Sequence, residues 1–299
     1  MATKAFADEL AGRVAARESQ IVLGLDPDPQ RLWPVAANAF GGSGDVADRT
    51  ARAVLDHCCA VIEAVGAACV VVKPQLACFE RLGAPGIAAL REVVVAAHAA
   101  GLMVLADAKR GDVPVSAAAY AQAFAGATPG PVGEVAGLGV DAFTANPLLG
   151  RDALQPLIAT GAGVFVLVRT SNPGAADVQD LELADGGPLW ERLARIVDEL
   201  GPPRDCGLAD VGAVMGATVP EHLGRARELM PHAIFLLPGI GAQGGRVEDL
   251  APAFVPGAAG GLVSASRGIV YAYEESGAPP EQAARSAAER LRELAWSLH

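Results

Sequence analysis

Several residue types that mark common classes of protein are scarce in this chain. The five cysteines are odd in number, fall mostly in apolar segments and include no C-x-x-C pair, so neither a disulfide framework nor a zinc site is expected. Charged residues form only 19% of the chain. No uninterrupted apolar run reaches the roughly 18 residues of a membrane span. Residues 1–19 lack the charged end and apolar centre of a secretory signal, which favours a cytoplasmic protein.

Positive charge is also in short supply. The chain has 23 Lys and Arg residues against 34 Asp and Glu, which gives a formal net charge of -11 at pH 7. This balance argues against nucleic acid or an anionic membrane surface as the main partner, although a local basic pocket could still bind a small phosphate. The five histidines lie in predicted helices, before a strand or at the last position. A histidine triad or a metal cluster is therefore not expected.

Short apolar runs are abundant. Hydrophobic residues form 52% of the chain, and eight runs rich in Val, Ile and Leu alternate with helix-like stretches. Continuous apolar character is what a strand buried on both faces requires. The predicted strands are Ile21–Leu25, Cys69–Val72, Leu102–Ala106, Val140–Thr144, Val164–Val168, Val211–Met215, Ile234–Leu237 and Leu262–Ser264. The predicted helices between and after them are Ala47–Ala64, Gly86–Ala100, Ser116–Ala125, Arg151–Ala159, Pro188–Leu200, Pro220–Met230 and Pro280–Leu298.

This alternation predicts an α/β fold, a (β/α)8 TIM barrel with an extra N-terminal helix, formed by residues 1–299 as a single domain. Two segments, Gly41–Gly44 and Thr128–Gly133, are expected to be flexible loops. The alternative architecture is an open doubly wound sheet. That fold usually carries G-x-G-x-x-G after its first strand, whereas here Pro27 follows Asp26 at that point.

Polar residues, with one glycine among them, follow the predicted strands at their carboxyl ends, where a barrel carries its active site. They are Asp26, Lys73, Asp107, Lys109, Asn146, Ser171, Gly239, Gln243 and Arg267. Any one of them could be an ordinary loop residue. Their occurrence together at one predicted rim favours a functional site.

The densest group of charges follows the third predicted strand. Asp107, Lys109 and Asp112 lie within six residues, and on an extended backbone Asp107 and Lys109 point to the same side. Together with Lys73 from the neighbouring strand they form a row of alternating charge. Two unit charges about 4 Å apart interact by roughly 4 kcal/mol at an effective dielectric of 20, so this order is tolerable where two adjacent carboxylates are not. A purely structural salt-bridge network is the alternative interpretation.

A glycine-rich segment follows the seventh predicted strand. It reads Pro-Gly-Ile-Gly-Ala-Gln-Gly-Gly over residues 238–245, and Arg267 comes one strand later. Glycines let backbone N–H groups approach an anion, and an arginine can bind phosphate through two hydrogen bonds. The pattern predicts a phosphate site that includes Gly239, Gly244 and Arg267. A flexible surface loop is the alternative.

The order of these motifs, Lys73, then D-x-K-x-x-D over residues 107–112, then P-G-x-G-x-Q-G-G, then Arg267, resembles the orotidine 5′-phosphate decarboxylase family. The match runs from Asp26 to Tyr271 and is most similar to the longer bacterial subgroup. The resemblance implies a (β/α)8 barrel, a homodimer, and conversion of orotidine 5′-phosphate to uridine 5′-phosphate and CO₂ in de novo pyrimidine synthesis. It also implies that no metal ion or organic cofactor takes part.

The resemblance further implies roles for individual residues. Lys109 would donate a proton to pyrimidine C6, and Asp107 would lie beside the departing CO₂. Lys73 would hold Asp107 and the ribose hydroxyls, while Asp112 would reach into the partner subunit's site. The residues implied to bind the substrate are Asp26 at the ribose, Ser171 at the pyrimidine, and Gln243 with Arg267 at the phosphate.

One segment departs from the subgroup's pattern. Relatives tend to have an isoleucine, a small residue and a Ser-Thr pair after the second aspartate, whereas this chain has Val-Pro-Val-Ser over residues 113–116. Since proline fixes the local backbone, a substrate contact from the Ser116 hydroxyl is not carried over.

Two other functions remain open at the level of sequence. One is a related barrel that acts on sugar phosphates through a similar D-x-K-x-x-D motif with magnesium. The other is a phosphate-ligand sensor without catalysis, against which the two carboxylates speak because they would face an anionic ligand.

Overall fold

The computed structural model describes residues 4–39, 41–241 and 244–299. Eight parallel strands close into a barrel in the order β1-β2-β3-β6-β7-β8-β9-β10, with β10 pairing back to β1, and an antiparallel hairpin of β4 and β5 lies outside it. The strands are β1 Ile21–Leu25, β2 Val71–Pro74, β3 Met103–Arg110, β4 Ala127–Gly130, β5 Gly133–Ala136, β6 Ala142–Ala145, β7 Gly163–Arg169, β8 Val211–Met215, β9 Phe235–Pro238 and β10 Gly261–Ala265. The predicted (β/α)8 barrel is confirmed.

Helices surround the barrel and alternate with its strands along most of the chain. The α-helices are α1 Phe6–Arg17, α2 Val46–Val65, α3 Leu76–Glu80, α4 Ala84–Ala99, α5 Pro114–Phe124, α6 Arg151–Ile158, α7 Leu189–Leu200, α8 Glu221–Leu229, α9 Arg267–Val270, α10 Tyr273–Ser276 and α11 Pro280–Trp296. The 3₁₀ helices are Pro34–Ala39, Gly66–Ala68, Pro173–Asp177, Val247–Phe254 and Ala258–Gly260. The described residues between β9 and β10 include two of these 3₁₀ helices, Val247–Phe254 and Ala258–Gly260, and the first contains Pro252, which has no backbone N–H to donate in an α-helical turn.

The longest helix shows how local sequence fixes an element. Asp45 caps α2, because its side chain accepts a hydrogen bond from Asp48 N and the Asp48 side chain accepts one from Asp45 N. Such a cap contributes about 1 kcal/mol. The helix then buries an apolar stripe that includes Val54, Val61 and Ile62 in the layer between strands and helices.

The alternation of side chains along each strand sets up the interior of the barrel. Leu105 belongs to an apolar cluster different from the one that holds its neighbours Val104 and Ala106, which pack against the helices. Two residues after Leu105 comes Asp107, and two residues after Ala142 in β6 comes Thr144. Because the side-chain period is two, the strand positions that face inward carry apolar groups low in the barrel and polar groups at its carboxyl end.

Helix α1 covers the opposite end of the barrel. Phe6 packs edge-on against Phe165 of β7 with ring centroids 6.0 Å apart, and Ala7 N donates a hydrogen bond of 2.8 Å to Asp210 Oδ1. A Cβ at Gly163 would lie 2.5 Å from the Phe6 ring, so only glycine leaves room for this contact. The predicted N-terminal helix is therefore confirmed, and it packs against the amino-terminal side of the barrel interior.

One loop prediction was wrong. Part of the expected flexible segment Thr128–Gly133 forms the hairpin of β4 and β5, whose strands pair from Ala127 opposite Ala136 to Gly130 opposite Gly133. Most of the hairpin's side chains are exposed on both faces. It therefore lacks the apolar alternation by which a strand is recognised in sequence. Within the described parts of the chain, no helix combines the length and apolar character needed to cross a bilayer.

Candidate active site

A cavity of about 620 Å³ opens at the carboxyl ends of the barrel strands. Seven of the eight barrel strands contribute to its wall through their last residues or the loops that follow them, and β8 contributes Val214. Of the residues predicted from sequence, those that line it are Asp26, Lys73, Asp107, Lys109, Asn146, Ser171, Gly239 and Arg267. The barrel thus brings together side chains that are far apart in the sequence.

The carboxylate of Asp107 accepts four hydrogen bonds. Lys73 Nζ donates to Oδ2 at 2.7 Å, and Gln75 Nε2 donates to the same oxygen at 3.1 Å. Lys109 Nζ and Thr144 Oγ1 both donate to Oδ1, the latter at 3.0 Å. A carboxylate offers about four lone-pair sites, so the acceptor capacity of Asp107 is fully used. Its orientation is fixed from two sides.

The charges of this group are strongly coupled. Burial alone would raise the pKa of Asp107, but the ammonium groups of Lys73 and Lys109 outweigh it and lower that pKa to about 2. Burial alone would lower the pKa of Lys73, and attraction to Asp107 and Asp26 raises it instead. At neutral pH the buried pair is therefore ionised. The Lys109 side chain is 45% exposed and points its ammonium group into the cavity.

The backbone at Lys109 is unusual. Its φ is 49°, in the left-handed region that residues with a Cβ seldom occupy. The register of β3 against β6 shifts between Ala106 and Arg110, so the segment that holds the charges bulges out of the regular ladder. Asp107 and Lys109 do share a side, as predicted, but the extended backbone assumed for that prediction was wrong. The bulge brings the two groups into contact.

Backbone amides at the carboxyl end of β9 form a tight turn. Gly239 and Gly241 have φ values of 106° and 69°, and Gly245 N donates to Gly239 O at 3.0 Å. Gly239 lines the cavity together with Arg267, which is exposed at the start of α9. Gly244 is exposed and is not among the residues lining the cavity. Gln243 lies outside the described residues.

The loop after β7 carries Ser171 and is tied back to the barrel. Arg169 donates two hydrogen bonds to the Asp180 carboxylate, at 2.8 and 2.9 Å, and these bonds lower the pKa of Asp180. Thr170 N donates to Gln179 Oε1 at 2.8 Å. These hydrogen bonds join the two ends of the loop at residues 169–170 and 179–180. The loop is therefore anchored to the barrel, and it holds Ser171 at the cavity wall.

Of the four predicted catalytic residues, Asp112 is the one that this chain does not bring to its own cavity. It is half-buried, and its Oδ1 accepts a hydrogen bond of 2.7 Å from Val113 N. It is not among the residues that line the cavity. Ser116, which follows it, is half-buried in the first turns of α5.

Two uncharged residues that contact Asp107 were not predicted as site residues from the sequence. Gln75 follows β2, and Thr144 lies within β6. Threonine is common in strands, and a lone glutamine after a strand carries no pattern of its own. One signal could have identified Thr144. It ends a predicted strand and lies two residues after a buried alanine, so its side chain faces the same side of the strand, toward the barrel interior. Among the described residues, no group of three or more His, Cys, Asp or Glu side chains is placed to share a metal ion.

Comparison with known proteins gives one consistent result. The family model described as "Orotidine 5′-phosphate decarboxylase / HUMPS family" matches residues 19–286. Two relatives named orotidine 5′-phosphate decarboxylase come from Rhodopirellula baltica and Halorubrum lacusprofundi. The first is 41% identical over 275 residues, covering 90% of this chain and 89% of its own. The second is 43% identical over 298 residues, covering 96% and 97%.

A solved structure agrees in fold as well as in sequence. The structure of Leishmania donovani OMP decarboxylase superposes with a TM-score of 0.72 at 33% sequence identity, covering 98% of this chain and 99% of that one. The similarity therefore extends over the whole barrel rather than a single motif.

Proposed function

The chain belongs to the orotidine 5′-phosphate decarboxylase / HUMPS family, and from that premise we propose that it converts orotidine 5′-phosphate to uridine 5′-phosphate and CO₂. The observation that carries this proposal is the ionised Asp107 held between Lys73 and Lys109 at the wall of the cavity. A negative charge fixed beside an ammonium group is suited to a substrate that loses a carboxylate and gains a proton at the same carbon. The reaction would complete de novo pyrimidine synthesis.

Lys109 is the proposed proton donor. Cleavage of the bond between C6 and the carboxylate leaves its electron pair on C6, where the ring offers no adjacent group to delocalise it. The Lys109 ammonium stabilises that charge as it develops and then transfers a proton to C6. Solvent returns the proton to the resulting amine, which is reachable because the side chain is 45% exposed.

Asp107 contributes through its charge. Its low pKa, about 2, keeps it anionic when the substrate carboxylate approaches, and the repulsion between the two disappears as CO₂ leaves. Stabilisation of the carbanion by Lys109 is proposed as the main effect, because a fixed charge aimed at developing charge is usually the largest single contribution to catalysis. Lys73 holds Asp107 in place through its 2.7 Å contact. It is also proposed to bind the ribose hydroxyls, since it lines the same cavity.

Groups at the rim of the cavity bind the rest of the nucleotide. Gly239 and Arg267, with Gln243 and Gly244, are proposed to bind the phosphate, because backbone N–H groups and a guanidinium favour an anion. Asp26 is proposed to bind ribose, and Ser171 the pyrimidine; both line the cavity. Binding energy from the remote phosphate then helps to hold the reacting carbon at Lys109.

A homodimer is proposed, with Asp112 acting in the partner's site. Supporting it, Asp112 lies outside its own cavity, and the surface next to it is apolar. Val113 is 54% exposed and Val115 85% exposed, and Leu148, in the loop beside Gly111, is 74% exposed. Adjacent exposed apolar side chains are typical of an interaction surface. All five cysteines are free thiols, which supports the proposed cytoplasmic location.

The direct test is the change in ultraviolet absorbance when purified protein is mixed with orotidine 5′-phosphate in the presence of a chelator. Conversion to uridine 5′-phosphate is expected even with the chelator. The lone pairs of Asp107 are already used by Lys73, Gln75, Lys109 and Thr144, so this carboxylate has none left to bind a metal ion. No conversion with or without added Mg²⁺ would reject the proposed activity. Conversion that requires Mg²⁺ would reject the cofactor-free mechanism.

A further inference from the structure

The Thr144 hydroxyl connects Lys109 and Asp107, two of the charged residues of the site. The side chain is buried, with 1% of the residue exposed. Its Oγ1 accepts a hydrogen bond of 2.8 Å from Lys109 N and donates one of 3.0 Å to Asp107 Oδ1. The direction of both bonds is fixed, because an N–H can only donate and an ionised carboxylate can only accept.

The backbone at Lys109 depends on this hydroxyl. Strand β3 pairs with β6 at Ala106 opposite Phe143 and again at Arg110 opposite Ala145, so four steps along β3 match two along β6. Within the bulge, Lys109 N donates to a side chain instead of a ladder carbonyl. The same residue has φ 49°, a conformation that is unfavourable for a residue with a Cβ and persists only where its surroundings hold it.

The carboxylate depends on it as well. Oδ1 of Asp107 accepts from Lys109 Nζ and from Thr144 Oγ1, so the hydroxyl fills the lone pair that the ammonium leaves free. Without the hydroxyl, Lys73 and Gln75 would still hold Oδ2, but Oδ1 would keep only Lys109, whose side chain is 45% exposed. Oδ1 and the ammonium that it orients could then shift together. One side chain on β6 thus fixes both the charge and the backbone that carries the proton donor.

We propose that Thr144 is a positioning residue for decarboxylation, which sets the geometry of Lys109 and Asp107 without touching the substrate's phosphate or ribose. This inference rests on the proposed function. Because small displacements of reacting groups slow the chemical step, Thr144→Val should lower kcat by about 10- to 100-fold. The Michaelis constant and the affinity for uridine 5′-phosphate should stay within about threefold, since the groups that bind them are unchanged.

Two further variants separate positioning from packing. Thr144→Ser keeps the hydroxyl and loses the methyl group. Its kcat should be at least about tenfold higher than that of Thr144→Val. Thr160→Val is the matched control. Like Thr144, the Thr160 hydroxyl donates one hydrogen bond and accepts one from a backbone N–H. Its acceptor is the Leu157 carbonyl at 2.8 Å rather than a carboxylate, its donor is Ala162 N at 3.2 Å, and it lies on the loop entering β7 at the other end of the barrel. Its loss should leave kcat unchanged.

The experiment is a steady-state titration of all four proteins with orotidine 5′-phosphate, with thermal unfolding of each recorded. A wild-type protein without turnover overturns the proposed function. That result is distinct from the outcomes that test the positioning role of Thr144. Given wild-type turnover, the inference is overturned if Thr144→Val keeps kcat within about twofold, or if Thr144→Ser is as slow as Thr144→Val. Should the valine variant not fold, Thr144→Ala replaces it. Failure of both to fold would make the hydroxyl a requirement for folding and would likewise overturn the positioning role.

Discussion

Lys73 Nζ lies 2.7 Å from Asp107 Oδ2, and each side chain is only 8% exposed. An ion pair this deeply buried adds little net stability over apolar residues of the same size, because both charges give up their hydration. The pair is therefore better explained by the chemistry of the cavity than by folding. The ion pair nevertheless makes the free energy of unfolding depend on pH, which can be measured.

The free energy of unfolding is expected to fall in acid because of Asp107. Its pKa is about 2 in the folded protein and 3.8 for the ordinary group. The folded value is the lower one, so the contribution is fully present above the unfolded pKa and is lost as pH falls toward 2. The whole contribution is about 2 kcal/mol, and about 1 kcal/mol of it is lost between pH 5 and pH 3.

This expectation is checked by urea unfolding of the wild type and of Asp107→Asn at pH 5 and pH 3. The difference between the two proteins should shrink by about 1 kcal/mol over that interval. Asp249→Asn, at an exposed position of the 3₁₀ helix Val247–Phe254, is the control and should track the wild type. A difference between wild type and Asp107→Asn that stays constant with pH would refute the lowered pKa.

Arg267→Ala should lower kcat/KM for orotidine 5′-phosphate by about 10- to 100-fold, the range expected for losing charge-assisted hydrogen bonds to a phosphate. Orotidine, which has no phosphate, should be turned over equally slowly by both proteins. Arg246→Ala serves as the control, because Arg246 is an exposed arginine in a weak pair with Glu248 at 3.7 Å and does not line the cavity. Equal losses for the two substrates would place Arg267 outside the phosphate site.

Mixing two inactive proteins tests the shared site. Lys109→Ala and Asp112→Ala chains, dissociated and reassociated together, should form hybrid dimers in which one of the two sites is intact. Random pairing makes half of the dimers hybrid, so about a quarter of the wild-type activity should return. Lys109→Ala mixed with Asp107→Asn is the control and should recover nothing, because both residues belong to the same chain's site. No recovery in the first mixture would mean that each subunit is self-contained.

The sequence predicted the barrel well because its strands are buried on both faces. Ile21–Leu25 and Val211–Met215 have the bounds expected from their apolar runs, and all their residues are buried. The position of the cavity followed from the same pattern, since polar residues that end buried strands must meet at one rim. The fold and the location of this cavity were therefore readable from the order of residue types.

The fine geometry of the site could not be predicted in the same way. The bulge in β3 and the positive φ of Lys109 coincide with a hydrogen bond from Lys109 N to Thr144, which lies 35 residues away in the chain. Gln75 escaped notice because one uncharged polar residue after a strand carries no periodic signal. These features arise from contacts between strands, which a pattern within one strand does not encode.

The most direct test of the account is single turnover of Lys109→Ala with excess enzyme over orotidine 5′-phosphate. Loss of both the proton donor and the charge that stabilises the carbanion should slow formation of uridine 5′-phosphate by about 10⁴-fold or more. Binding of uridine 5′-phosphate, measured by calorimetry on the same preparation, should remain detectable because the phosphate-binding groups are untouched. Turnover near the wild-type rate in a protein that still binds this product would contradict the assignment of Lys109 as the proton donor.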